Sequence, residues 1–278
     1  MMTTIDETLI ASFKDLLDLP APPGRQKEQV IQDFLEQHTE LIPTPNLLNH
    51  RLHFQSIISK FPLSTELITD YAYITKSSEV WRITLVELES PDKNLFTNDT
   101  KKVITSAEFN AALNQVRSWK HFIENNKSEV IRHIEPLLRP FAMSRNPIEF
   151  DYQLIIGRSN NKNFSLERKQ HFRGLINETR INILTYDQLI DYYNTPKLVL
   201  RLTGHQYAFK HMTFEPTQIF AYVGPDNLSL SNNEIELLKK SGYEMEKWSK
   251  GELLTFNVKY AKSTSERELS NGVFFDFN

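Results

Sequence analysis

Residues 79–96, EVWRITLVELESPDKNLF, decide the fold. Trp81-Arg82-Ile83-Thr84-Leu85-Val86 joins apolar and β-branched residues and reads as a strand. It ends on Glu87-Leu88-Glu89, just before Ser90-Pro91. Side chains alternate across a strand, so Glu87 and Glu89 point to the same face. Like charges side by side repel unless a cation lies between them or water separates them.

The turn signal Lys76-Ser77-Ser78-Glu79 separates this strand from LITDYAYIT, residues 67–75, which reads as its partner. A hairpin centred on Ser77-Ser78 places Asp70 opposite Leu85, with Glu87 as its diagonal neighbour on the same face. Asp70, Glu87 and Glu89 then converge at one end of a sheet. Such a cluster is either a solvated rim or a site for a hard cation. Mg²⁺ takes oxygen ligands and needs only one or two carboxylates from the protein.

Helical periodicity surrounds these strands. An amphipathic segment over 3–18 precedes the joint Leu19-Pro20-Ala21-Pro22-Pro23-Gly24. Val30, Ile31, Phe34, Leu35, Leu41 and Ile42 place a helix over 25–42, which Pro43 and Pro45 stop. Glu28 lies at the margin of its apolar stripe and Glu36 farther round, toward solvent. A helix over 107–124 follows the acidic strand, with Thr105 and Glu108 at capping-box spacing. Gln115 sits at the edge of its stripe. A strand over 151–156, a helix over 166–177, a strand over 181–185 and a further helix from Tyr186 form a strand–helix–strand unit, which implies parallel pairing.

The fold class is therefore α/β, a mixed sheet flanked by helices, with a small α+β C-terminal addition. The expected division is a helical segment and linker over 1–23, a main domain over 24–195 and a C-terminal module over 196–278. In that module, strand-like pieces fall at 197–203, 206–214, 217–223, 253–260 and 273–277, with a helix over 232–241.

Composition narrows the possibilities. The chain of 278 residues, 40% hydrophobic and 24% charged, has an ordinary globular make-up. It holds no apolar run of about 18 residues, so no membrane span is expected. The opening MMTTIDETLIASF is not a signal peptide. The absence of cysteine excludes disulfides, thiolate zinc sites and cysteine catalysis, and suits a cytoplasmic protein. Net charge is -3, yet between Lys101 and Arg180 the lysines and arginines outnumber the acids. That stretch is either a solvated helical surface or a surface facing a polyanion.

The ordered set Glu28-x-x-x-Gln32-x-Phe34-Leu35, Asp70, VELESP, Gln115 with Trp119, LIIGR at 154–158 and ILTYDQLID at 183–191 resembles the Shedu family of bacterial anti-phage proteins. The resemblance implies a restriction-endonuclease-like nuclease domain of the PD-(D/E)XK type and a DNA endonuclease dependent on Mg²⁺ or Mn²⁺. It implies that Asp70 and Glu87 hold metal, and that Glu28 and Gln115 complete the site. Glu89 stands where the family signature has lysine. It would bind metal or position water, with the missing positive charge supplied by a second metal or by Lys93, Lys101 or Lys102. DNA is the implied partner, contacted through the basic stretch. The tail or a homo-oligomer interface is the implied restraint in uninfected cells. The rival expectation is a degenerate nuclease fold that binds DNA or a partner without cutting.

Other signals carry less. His50-x-x-His53 lacks a third metal ligand and reads as structural or exposed. Arg158 is either a phosphate contact or a solvated loop residue. Asp187 reads as a helix cap.

Overall fold

The computed structural model describes residues 5–254, apart from positions 50, 100 and 217. Asp6 opens α1 (Glu7–Asp18), its carboxylate accepting the backbone N–H groups of Thr8 and Leu9 at 3.0 Å. After the Pro-rich joint, α2 (Lys27–Gln37) buries Ile31, Gln32, Leu35 and Glu36. It stops at His38, and a 3₁₀ turn (Thr39–Leu41) takes up the rest of the apolar segment that reads as a single helix to residue 42.

Three strands come next, β1 (Ser56–Ser59), β2 (Tyr71–Lys76) and β3 (Trp81–Leu88). Ser106 opens α3 (Ala107–Ile134), and β4 (Ile148–Ile155) follows. The short α4 (Ser159–Asn163) and α5 (Leu166–Thr179) lead to β5 (Ile181–Leu184). The C-terminal part supplies β6 (Leu198–Thr203), β7 (Gln206–His211), β8 (Leu228–Ser229), α6 (Asn232–Lys240) and α7 (Met245–Ser249).

All eight strands form one mixed sheet in the order β5-β4-β3-β2-β1-β6-β7-β8. The β3-β4 and β4-β5 pairs are parallel, each bridged by helices, as the strand–helix–strand pattern implies. β6 pairs in parallel with β1, so the α+β C-terminal part extends the sheet from its β1 edge.

Alternation along the strands divides the core between two faces. On one, Ala72, Ile74, Ile83 and Leu85 pack against Phe109, Ala112, Val116 and Trp119 of α3. On the other, Tyr71, Tyr73, Val86 and Leu88 pack against Phe13 of α1 and Ile31 and Leu35 of α2.

Several expectations are corrected. The hairpin pairs Ala72, not Asp70, with Leu85, and Tyr71 with Val86. Its turn lies one residue later than read, because the Ser77 hydroxyl takes the N–H of Val80 at 3.2 Å and Ser77 N–H donates to the Val80 carbonyl at 2.9 Å. A slip of two positions keeps every side chain on its face, and the ladder ends at Tyr71–Val86, with Asp70 just beyond it donating its N–H to the Val86 carbonyl at 3.1 Å. The N-cap of α3 is Ser106, whose hydroxyl accepts Phe109 N–H at 2.9 Å, while Thr105 is taken by a bridge to Phe96. The segment after Tyr186 is a 3₁₀ helix capped by Thr185 and Gln188 rather than by Asp187. Residues 217–223 hold a 3₁₀ turn (Ile219–Ala221), not a strand. The strands expected at 253–260 and 273–277 fall, beyond residue 254, outside the described residues.

Buried Lys197 joins the C-terminal part to the segment after α2. Its Nζ donates to the Thr39 carbonyl at 2.9 Å, and the Thr39 hydroxyl accepts Lys197 N–H at 2.7 Å. Burial lowers the Lys197 pKa from 10.5 to about 8. Between these values the unfolded chain binds more protons than the folded one, so this group makes stability rise with pH across that window. Urea titrations should show wild type gaining stability relative to Lys197→Met from pH 8 to 10.5. Parallel profiles for the two proteins would contradict this.

Candidate functional site

The acids gather at the end of β3. Asp70 precedes β2; its N–H donates to the Val86 carbonyl at 3.1 Å, and its Oδ2 accepts Leu88 N–H at 2.7 Å. The carboxylate is thereby fixed against the strand that carries Glu87. Asp70, Glu87 and Glu89 are all buried. Gln115, an exposed residue on α3, donates its side-chain N–H to Glu87 Oε1. Glu28, half-buried on α2, completes the set.

Electrostatics ties the set together. Burial pushes the Glu87 carboxyl up to about 10, reinforced by the charges of Asp70, Glu89 and Glu28. Glu28 is raised to about 7, again by burial first and then by Asp70 and Glu89. The structure thus brings together all five residues singled out by sequence, with helices on both sheet faces contributing.

Two lysines answer these charges. Lys60, just after β1, pairs with Asp70, and its own N–H donates to the Asp70 carbonyl at 2.8 Å. Its φ of 50° is left-handed, an uncommon conformation for a non-glycine residue that turns the chain out of β1 toward the acids. Lys93 pairs with Glu89. The loop carrying Lys93 lies directly on Gly157, which has φ +65°; a Cβ there would stand 2.4 Å from the Lys93 carbonyl oxygen. Only glycine suits both the backbone conformation and this close approach. Lys101 is exposed in the loop before α3.

Sequence reasoning missed Lys60, because β1 is only four residues long and leaves no periodic signal. It also missed the place of Tyr186. That residue is fully buried, its hydroxyl lacks a hydrogen-bond partner among the described residues, and its ionisation is driven upward by burial and then by Glu28, Asp70, Glu89 and Glu87. Glu36 is corrected: it does not face solvent but is buried, accepting the Ser59 hydroxyl at 2.6 Å and pairing with Lys210 of β7 at 2.5 Å. Arg158 is not free, since Asp18 and Asp187 hold it at 2.6 and 2.9 Å. His53 is buried and held near-permanently neutral, its pKa lowered to about 3 chiefly by burial. His50 lies outside the described residues.

The side chains gathered here offer oxygen ligands, the type a hard divalent cation takes. No group of three or more His, Asp or Glu among the described residues is arranged to hold a metal ion. Asp70 lies near enough to Glu87 for its charge to raise the Glu87 pKa, and Glu89 pairs with Lys93.

Fold and site together define an α/β protein with a restriction-endonuclease-like mixed sheet and an acidic cluster at a strand end. Residues 25–190 match the family model described as Shedu protein SduA, C-terminal, and the chain belongs to the Shedu family. Membership implies a role in anti-phage defence. No curated protein matches the sequence. Among the described residues no helix is long and apolar enough to cross a membrane.

At neutral pH Glu87 is ionised in the unfolded chain and held protonated in the fold, so folding must protonate it at a cost that an amide avoids. In chelator at neutral pH, Glu87→Gln is expected to raise Tm by about 2 °C or more; with Mg²⁺ added, a rise in Tm is expected for wild type and none for the variant. A lower Tm for the variant with the Mg²⁺ response intact would contradict this placement.

Proposed function

We propose that the chain is a metal-dependent endonuclease that hydrolyses DNA phosphodiester bonds in bacterial anti-phage defence. The observation that carries this reading is the closeness of Asp70, fixed by the Leu88 N–H, to Glu87, held by Gln115, in a family of defence proteins. Asp70 and Glu87 would hold Mg²⁺ or Mn²⁺. The ion would supply positive charge to the scissile phosphate and lower the pKa of an attacking water.

The remaining residues do the positioning. Gln115 fixes the Glu87 carboxylate from α3, and the Leu88 N–H fixes that of Asp70. Glu28, with a pKa near neutrality, can accept or release a proton at physiological pH. Lys60 supplies a cation beside Asp70, from a different strand than the family signature uses. Glu89, bound to Lys93, keeps that second cation at the rim of the site, where a phosphate would approach. Loop 90–95 therefore contributes charge through an ion pair rather than through position 89 itself. The basic stretch would contribute contacts to the DNA backbone, which give affinity without sequence preference.

The same two ion pairs favour a second reading. With Lys60 on Asp70 and Lys93 on Glu89, the acids are partly neutralised from within, as expected of a fold that binds DNA or a partner but no longer cuts.

Purified protein incubated with supercoiled and linear DNA separates the two. Cleavage is expected with Mg²⁺ or Mn²⁺ and none with chelator. Glu87→Ala should lower the rate by about a hundredfold or more, and Lys60→Ala by about tenfold or more. DNA binding without metal-dependent cutting, unchanged by Glu87→Ala, would overturn the enzymatic reading.

A further inference from the structure

The sheet has a second end. Trp81, which opens β3, pairs with Ile148 of β4, and its indole N–H donates to the Met143 carbonyl at 2.8 Å. At about 3.3 Å per residue along β3, this end lies roughly 20 Å from the acids. Here the C-terminal turn of α3, the loop 138–147 and Asn227 of the C-terminal part line an open cavity of about 430 Å³.

Three arginines line it, Arg132, Arg139 and Arg145, and Glu135 is the one acid among the lining residues. Among the described residues no carboxylate pairs with any of the three. Arg139 is held by the backbone carbonyls of Glu135 and Leu138 at 3.1 and 3.2 Å, and lies 6.0 Å from the ring centre of Phe141. Phe141 borders the same cavity and is 77% exposed.

Arginines without carboxylate partners around a concavity are suited to phosphate, which a guanidinium binds bidentately. An anion alone would leave the aromatic ring unused. A nucleobase is a flat apolar surface that stacks on such a ring. The volume is that of a small-molecule site. We infer that this cavity binds a nucleoside phosphate, with its phosphates on Arg132 and Arg145 and its base against Phe141. The ligand is either a free nucleotide or the terminal nucleotide of a strand. The inference is independent of any cleavage chemistry at the acidic end.

Calorimetric titration in chelator tests it, using ATP, GTP, tripolyphosphate and a short 5′-phosphorylated oligonucleotide. Saturable binding of a nucleotide or of the oligonucleotide is expected, and which of them binds identifies the source. The double variant Arg132→Ala/Arg145→Ala should weaken it about tenfold or more. Phe141→Ala should weaken nucleotide binding about threefold or more while leaving tripolyphosphate unchanged. Phe141, Arg132 and Arg145 are all exposed, so the variants should keep wild-type Tm. No saturable binding, or binding indifferent to both variants, would overturn the inference. Equal affinity for tripolyphosphate and nucleotides, untouched by Phe141→Ala, would do the same.

Discussion

Repulsion among four carboxylates at one strand end is the constraint on which the rest of this site depends. Asp70, Glu87 and Glu89 are buried, and Glu28 leans in from α2. A cluster of this kind is costly to fold around, because each acid loses water and gains like-charged neighbours. The structure offsets the cost with Lys60, Lys93, the Gln115 amide and the Leu88 N–H. Each comes from a different segment. The fold therefore does more than expose an acidic patch: it brings a loop after β1, a loop after β3 and a helix on the α3 face to one point.

Those segments meet because the backbone leaves them little freedom. Gly157 admits the loop that carries Lys93, and its carbonyl in turn accepts Tyr186 N–H at 3.1 Å. Lys60 turns in a left-handed conformation to reach Asp70. At the C-terminal end of α2, Glu36 is held by Ser59 and by Lys210 of β7. The helix that positions Glu28 is thus anchored to the C-terminal strands, and a buried charge is sensitive to losing its cationic partner. Residues beyond 195 are in this sense part of the support for the acidic end.

Much of this was legible in the sequence, for physical reasons that can be named. Strand alternation placed Glu87 and Asp70 on one face, and a register error of two positions could not disturb that, since faces repeat every second residue. The apolar stripe of α3 carried Gln115 to the right edge. What escaped depended on tertiary placement. Lys60 follows a strand too short to show a period. The apolar stripe of α2 points Glu36 toward solvent, whereas Lys210 reaches it from a strand remote in sequence. The basic stretch read as one surface divides on folding, with Arg132, Arg139 and Arg145 at the end of the sheet away from the acids and Arg158 tied down by Asp18 and Asp187.

Asp70 and Glu87 are proposed to share a cation. Anomalous diffraction from crystals grown with manganese addresses it directly. The account requires a single strong peak between the two carboxylates, with the Lys60 ammonium displaced from Asp70. Clean density for the protein with no peak there, and Lys60 still seated on Asp70, would contradict it.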